Sequence, residues 1–377
     1  WTVLPYGLYT ILAVVFAFVY YNMRQPFSLG SVIAPLIPEK GRSGVSKAVD
    51  FICVFALVTG LAASLASGVL SINGGLSKLF GIDSNAMVWG IIILVIGGMT
   101  IIAAVTGITR GIKYLSNINV AMYIVILAFI LLFGGTVFIF SFGIESIGQF
   151  ISTFFSGTLF TGTAEGDLWA KNWTMFYLGN WMAWAPVTAV FLGRISYGRR
   201  IKDVIAMNLF VTALFSIVWF MIISGATVNQ LMNNPASGLI DAYNAGYENV
   251  IYQLFKNLPL SQIFIPLYLV AVLISFVTAP DSTTMAIAGI CSKGIAPDSP
   301  EPPTYLIAVW GVIVAVVTWI MMSVGEGITG IKMLSNIGGL PAMFLIVLVV
   351  ISAIIISIHP ERYNFVDKNN VTDKNVK

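Results

Sequence analysis

The sequence predicts an all-α polytopic membrane protein built on an inverted repeat of five helices, with about nine transmembrane helices in this chain. Three observations carry that reading: the composition, the spacing and flanking charge of the apolar runs, and one motif that occurs twice. Of the 377 residues, 58% are hydrophobic and 9% charged, whereas about a quarter of a soluble domain is charged. A water-soluble globule is excluded on that ground.

A helix that crosses a hydrocarbon layer of ~30 Å needs about 20 apolar residues. Such runs fall at 5–22, 45–71, 86–108, 115–138, 173–195, 203–225, 263–289, 304–323 and 333–357. When the runs alternate in direction, 15 of the 19 lysines and arginines share one side, and only Lys78, Lys171, Lys256 and Lys332 take the other. Cations gather on the cytoplasmic side of a plasma membrane, so the amino end is expected outside and residues 359–377 form a short cytoplasmic tail. The cations sit in short loops rather than in a cluster suited to nucleic acid.

The motif is Gly111 to Ile118 (GIKYLSNI) and Gly330 to Ile337 (GIKMLSNI), identical at seven of eight positions. Shared Ser-Asn helix starts would explain part of the match but not the common Gly-Ile-Lys. Each copy opens a span, and the two spans are five apart, so they enter the membrane from opposite faces. That relation marks an inverted-topology repeat of the kind on which secondary transporters are built. The first unit is then one helix short, and the chain, which opens on Trp1, is expected to belong to a longer one.

Asn172 to Lys202 joins an aromatic, apolar run to a block of cations. On a helix Tyr177, Trp181, Trp184 and Thr188 are spaced i, i+4, i+7 and i+11 and share a face. Such a stripe can hold a cation against its π faces. It equally suits an interfacial aromatic belt or ordinary packing, and all three readings stand at this point.

Enzyme chemistry finds no foothold. The one histidine is His359, the cysteines Cys53 and Cys291 suit packing within spans, and no HExxH, GxSxG or phosphate loop occurs. Asp281, with Thr278 and Ser282 beside Pro280, is the main ionisable group inside a span. Such residues usually face a cavity or partner, because lipid solvates them poorly; Asp281 equally suits a cap at a helix break or a place close to the cytoplasm.

The Asn172-Trp173-Thr174 opening with Met175, Tyr177, Trp181, Trp184 and Pro186 resembles the signature of the betaine/carnitine/choline transporter family. So do the exit Arg194-Ile195-Ser196 with Gly198-Arg199 and the segments 35–50, 72–83, 115–119 and 278–282. Leu178 and Asn180 stand where the family usually carries Trp. The resemblance covers nearly the whole chain and implies a single transmembrane transporter domain over 1–377. It would comprise family helices 4 to 12 of a LeuT-like fold, with the first helices absent.

The family's aromatic cage then implicates Trp181, Trp184, Tyr177 and Asn180, together with Trp1, Tyr6 and Tyr9 in the opening segment, where Tyr6 replaces a more usual Trp. In the family the positions of Thr278 and Ala279 supply two hydroxyls near a sodium ion. Alanine removes one here, so an ion site would rest on Thr278, Asp281 and Ser282, with sodium as a coupling ion and no other cofactor. Asn119 is neutral where sodium-independent exchangers carry a cation.

The function so implied is secondary active transport, by alternating access, of a small quaternary ammonium solute such as glycine betaine, carnitine or choline. The resemblance also suggests a homotrimer. The alternatives are a transporter of another amine or amino-acid-like solute, or a channel or receptor on the same helices.

Overall fold

The computed structural model describes residues 2–106, 109–292 and 302–365, with the backbone alone for 101, 103–106, 109–112, 279–283 and 286. All regular structure in these residues is helical. Seven helical stretches are long and apolar enough to cross a membrane: Val3–Asn22, Glu39–Phe80, Lys113–Phe133, Ile201–Asn233, Ser261–Thr278, Thr304–Val324 and Ile328–Ile358. Of the two further predicted spans, the described part of 86–108 and the whole of 173–195 also fall on helices. The apolar described part of the first is Ala86–Thr100. The second mixes Gly, Asn, Trp and Pro into its apolar run.

Helix α1 (Val3–Ala17) ends in a wide i→i+5 turn at Phe18–Asn22, and a tight helix at Leu29–Leu36 leads to α2 (Glu39–Phe80). At 1.5 Å per residue the 42 residues of α2 reach ~63 Å, far beyond the hydrocarbon layer. Glu39 in its first turn and Lys78 in its last suit the helix dipole. Gly81, at φ 69°, ends it in the left-handed conformation.

Next come α3 (Ala86–Thr106) and α4 (Thr109–Phe133). The run predicted at 115–138 is broken: Gly134 and Gly135, the latter at φ 97°, separate α4 from α5 (Thr136–Ser152). Asn229 Nδ2 donates to the Gly134 carbonyl at 2.9 Å and so satisfies an acceptor freed by the break. Hydropathy does not register such a break, because the glycine pair is itself compatible with an apolar run. After the short α6 (Phe154–Leu159), a second wide turn at Ala170–Thr174 opens α7 (Met175–Ile195).

Helix α8 (Ile201–Ile205) continues through a third wide turn, Ala206–Val211, into α9 (Thr212–Asn233). The connection between the predicted spans 203–225 and 263–289 contains two short helices, α10 (Leu239–Ala245) and α11 (Asn249–Lys256). Tyr252 of α11 is fully buried and donates to the Ser71 carbonyl of α2 at 2.6 Å. Lys78 Nζ donates to Gln253 Oε1 at 2.7 Å, so α11 is fastened to the end of α2. The chain closes with α12 (Ser261–Ile290), α13 (Thr304–Val324), α14 (Ile328–Ile358) and α15 (Pro360–Tyr363).

Helices α2, α7 and α14 form the centre, each packed on the other two. Glycines set the spacing. A Cβ at Gly339 would strike the backbone of Gly179, and one at Gly338 would strike Thr59. A Cβ at Gly179 would lie 3.0 Å from the Ser335 carbonyl, and one at Gly60 3.0 Å from Ala183. In lipid, helices gain nothing by hiding apolar surface from one another, so close contact between small residues supplies the association. Outside this centre many large apolar side chains are exposed, among them Leu94, Leu132, Val137 and Phe210, as a lipid-facing perimeter requires.

Gly339→Ala should therefore lower thermal stability, with overpacking costing about 1–3 kcal/mol. The control is Gly97→Ala, where an added Cβ meets nothing within 4 Å and the gain in helix propensity acts alone. Thermal unfolding in detergent compares the two, and an equal response would remove the argument.

Candidate functional site

Trp181 of α7 lies against three tyrosines. Its ring centroid is 5.2 Å from Tyr6 and 4.8 Å from Tyr9, both on α1, and 5.8 Å from Tyr177 one turn earlier on α7. The i, i+4 spacing on α7 and the packing of α1 along it bring the four rings together. Tyr6 is further held by α9, whose Ser216 Oγ donates to its hydroxyl at 3.1 Å.

The rings meet at edge-on and tilted angles of 74°, 46° and 57°. All four residues are partly exposed. One indole and three phenol rings of this kind are groups to which a cation is attracted over ~6 Å.

The other predicted residues take different positions. Trp184 turns to α2, where its indole N–H donates to the Gly60 carbonyl at 3.0 Å, and its ring packs on the core with Leu57 and Leu61. Thr188 donates to the Ala185 carbonyl at 2.9 Å. Asn180 faces α14, with Oδ1 3.4 Å from Ser335 Oγ. Trp1 lies outside the described residues.

Thr278 donates within its own helix to the Ile274 carbonyl at 2.9 Å. The side chains of Asp281 and Ser282 lie outside the described residues. Asn119, buried on α4, donates from Nδ2 to Ser275 Oγ at 2.7 Å, and Tyr123 OH lies 3.0 Å from the same oxygen. Asn119 Oδ1 is buried with no partner among the described residues. Ser275 Oγ in turn donates to the Ala271 carbonyl at 2.9 Å, so the two hydroxyls are engaged on the amide side of Asn119 and within α12. Among the described residues no group of His, Cys, Asp and Glu has metal-binding composition.

A second aromatic group was not anticipated from the sequence. Lys332, within the second copy of the repeated motif, places Nζ 4.1 Å from the Trp173 ring centroid and 5.9 Å from that of Tyr247. Trp173 and Tyr247 meet edge-on at 5.0 Å, and Tyr243 extends the group. One ammonium thus joins the entry to α7, the α10–α11 link and the first turns of α14. Beside it, burial pushes the Glu248 carboxyl above its ordinary range. The signal available in the sequence was the pairing of Gly-Ile-Lys with the Asn-Trp-Thr opening.

A profile of betaine/carnitine/choline family transporters matches residues 1–361. The chain belongs to the betaine/carnitine/choline transporter family. It is a family of transporters, not of enzymes. The chain is 28% identical over 354 residues to the glycine betaine transporter OpuD of Bacillus subtilis, covering 93% of this chain and 67% of that one. It is 29% identical to the ectoine/hydroxyectoine transporter of Virgibacillus pantothenticus over 93% of this chain and 69% of that one. The Escherichia coli high-affinity choline transport protein is 26% identical over 92% of this chain and 52% of its own. The chain thus spans about half to two thirds of the length of these relatives.

Lys332→Gln should free the α10–α11 link, while Lys332→Arg retains a cation on the rings. A loss of ~1 kcal/mol would speed amide exchange there about five-fold through local opening. Hydrogen exchange in Tyr243–Gln253 is the measurement, and equal protection in both variants would show that the cation holds nothing.

Proposed function

We propose that this chain carries out secondary active transport of a small quaternary ammonium solute by alternating access, with glycine betaine, carnitine or choline as the solute class. The observation that carries the reading is the enclosure of Trp181 by Tyr6, Tyr9 and Tyr177 in a chain of this family. A trimethylammonium head has no N–H to donate, so ring faces are the partners that suit it. Two relatives are named for glycine betaine and choline, which supports the same class.

The architecture proposed with it has nine spans, the seven apolar stretches together with α3 and α7, arranged as an inverted five-helix repeat. The distribution of cations supports a cytoplasmic carboxyl end. The family resemblance supports a homotrimer.

A second reading keeps the transport and changes the solute. By the family resemblance Asn180 and Leu178 replace aromatic residues, and Asn180 turns its carboxamide to Ser335 of α14. A relative is named for ectoine and hydroxyectoine. Another amine or amino-acid-like solute is therefore the alternative, and competition for uptake between betaine, choline and ectoine separates the two. A channel on the same helices would fail to show saturable, gradient-driven uptake.

In the full-length protein, Trp181→Ala should weaken binding of a trimethylammonium solute about ten-fold or more, while Trp181→Phe loses far less because it keeps a π face. Titration calorimetry with glycine betaine decides it. Equal losses would return Trp181 to packing.

For coupling we propose sodium, bound weakly. Thr278 supplies one expected hydroxyl and Ala279 lacks the other; the buried Asn119 Oδ1, without a partner among the described residues, is a further candidate ligand, and Asp281 and Ser282 stay in the proposal. Ala279→Ser should lower the sodium concentration needed for half-maximal betaine uptake. An unchanged response would place the ion elsewhere or leave solute exchange as the driving reaction.

A further inference from the structure

Apart from the aromatic site, one groove of about 460 Å³ runs between α1, α8–α9 and the end of α14. Gly7, Ile11 and Phe18 form one wall, Ile205 and Leu209 the second, and Ile356 the third. Thr10 and Ser357 are the hydroxyls on its lining. Thr10 donates its proton to the Tyr6 carbonyl at 2.7 Å, so the groove presents a nearly apolar surface. An added Cβ at Gly7 meets nothing within 4 Å, which leaves that wall open.

The groove has a length and a charged end. From Gly7 to Phe18 is 11 residues, or ~16 Å of helix, about one leaflet of a ~30 Å hydrocarbon layer. Beyond Phe18 the end of α1 meets segments that flank the helix ends of the other two walls. The Phe365 N–H donates to the Asn22 carbonyl at 2.9 Å, and the rings of Tyr21 and Tyr197 are 4.9 Å apart. The segments that meet there carry Arg199, Arg200 and Lys202 beside Ile201, and Arg362 just past Pro360. The acids among them are Asp203, which takes Arg200 Nε at 2.8 Å on the exposed surface, and Glu361. Cations outnumber acids, and Lys202 and Arg199 are exposed.

We propose that this groove is a binding site for one anionic phospholipid of the bilayer, an acyl chain lying along α1 and the phosphate held by the Arg199–Lys202 and Arg362 group. Hydrocarbon is the solvent around these membrane helices, and an apolar groove one leaflet deep fills with it. Basic residues at the membrane surface select a negative headgroup, at about 1 kcal/mol for each cation near it. None of the four rings of the Trp181 cluster lines the groove, although α1 carries two of them, so the two sites share a helix and no lining residue. The proposal rests on membership of a membrane transporter family and not on the identity of the solute.

The test uses full-length protein purified in detergent, with thermal stability and native mass spectrometry as readouts. Phosphatidylglycerol should raise the melting temperature and remain bound as one or more lipids per chain, and phosphatidylcholine of the same acyl length should do so at least three-fold more weakly. Two variants fill the groove, Gly7→Leu and Ile205→Trp, and either one that folds should abolish the difference between the lipids. The combined Arg200→Gln, Lys202→Gln and Arg362→Gln variant should respond alike to both lipids. Equal action of the two lipids on the unaltered protein, or a full phosphatidylglycerol effect in a groove-filled variant, would overturn the proposal. So would an equal effect of glycerol 3-phosphate, which carries the phosphate without the chain. Betaine binding is read in parallel, so failure of the solute reading and failure of the lipid site remain distinguishable.

Discussion

The close approach of three backbones, α2, α7 and α14, is the constraint on which the rest depends. Thr59 and Gly60 on one helix, Gly179 on the next and Gly338 and Gly339 on the third leave no room for side chains between them. That contact sets the rotation of α7. With Gly179 pinned to α14, Asn180 falls toward Ser335, Trp184 toward the Gly60 carbonyl, and Trp181 toward α1. A single crossing point therefore assigns the polar, the packing and the aromatic faces of the helix that carries the candidate site. The hydrogen bond from Trp184 reinforces it, because an indole N–H buried in an apolar layer has few other acceptors.

Two aromatic groups on this chain differ in what they hold. Around Trp181 the rings close on each other, and the hydroxyl of Tyr6 is engaged by Ser216. Around Trp173 the rings already carry an ammonium from Lys332. The same weak attraction thus ties helices together at one place and, in the proposed function, stays available for a diffusing solute at the other. Tyrosine at position 6 adds a polar rim that an indole would supply differently. A shared fold does not by itself fix a solute, and the relatives of this chain are named for betaine, ectoine and choline.

Much of the frame was legible in the sequence, because lipid demands long apolar runs and charge marks their ends. The runs at 5–22, 45–71, 203–225, 263–289, 304–323 and 333–357 coincide with helices, and Tyr177 and Trp181 do share a face. What escaped were features set by contact. The break at Gly134–Gly135 is invisible to hydropathy and is completed by Asn229, 95 residues away. Trp184 belongs by spacing to the stripe of Trp181, yet it is drawn to α2 by one carbonyl. Lys332 counted as a lone cation on the wrong side of a charge tally, and its partners lie on two other elements. Helical periodicity reports a face and does not say what covers it.

The wide turns at Phe18–Asn22, Ala170–Thr174 and Ala206–Val211 have a consequence for how this chain tolerates change in length. Each winds one residue more into a turn than an α-helix does, so each holds a surplus residue that a regular helix would not need. Deleting one residue within 206–211 would relax the turn to α geometry and leave the faces of α8 and α9 in phase. The same deletion in the middle of α7 would rotate everything beyond it by ~100°. A one-residue change of length is thus accommodated more readily at these three places than within a regular helix, and residue spacing counted across any of them misjudges which side chains lie together.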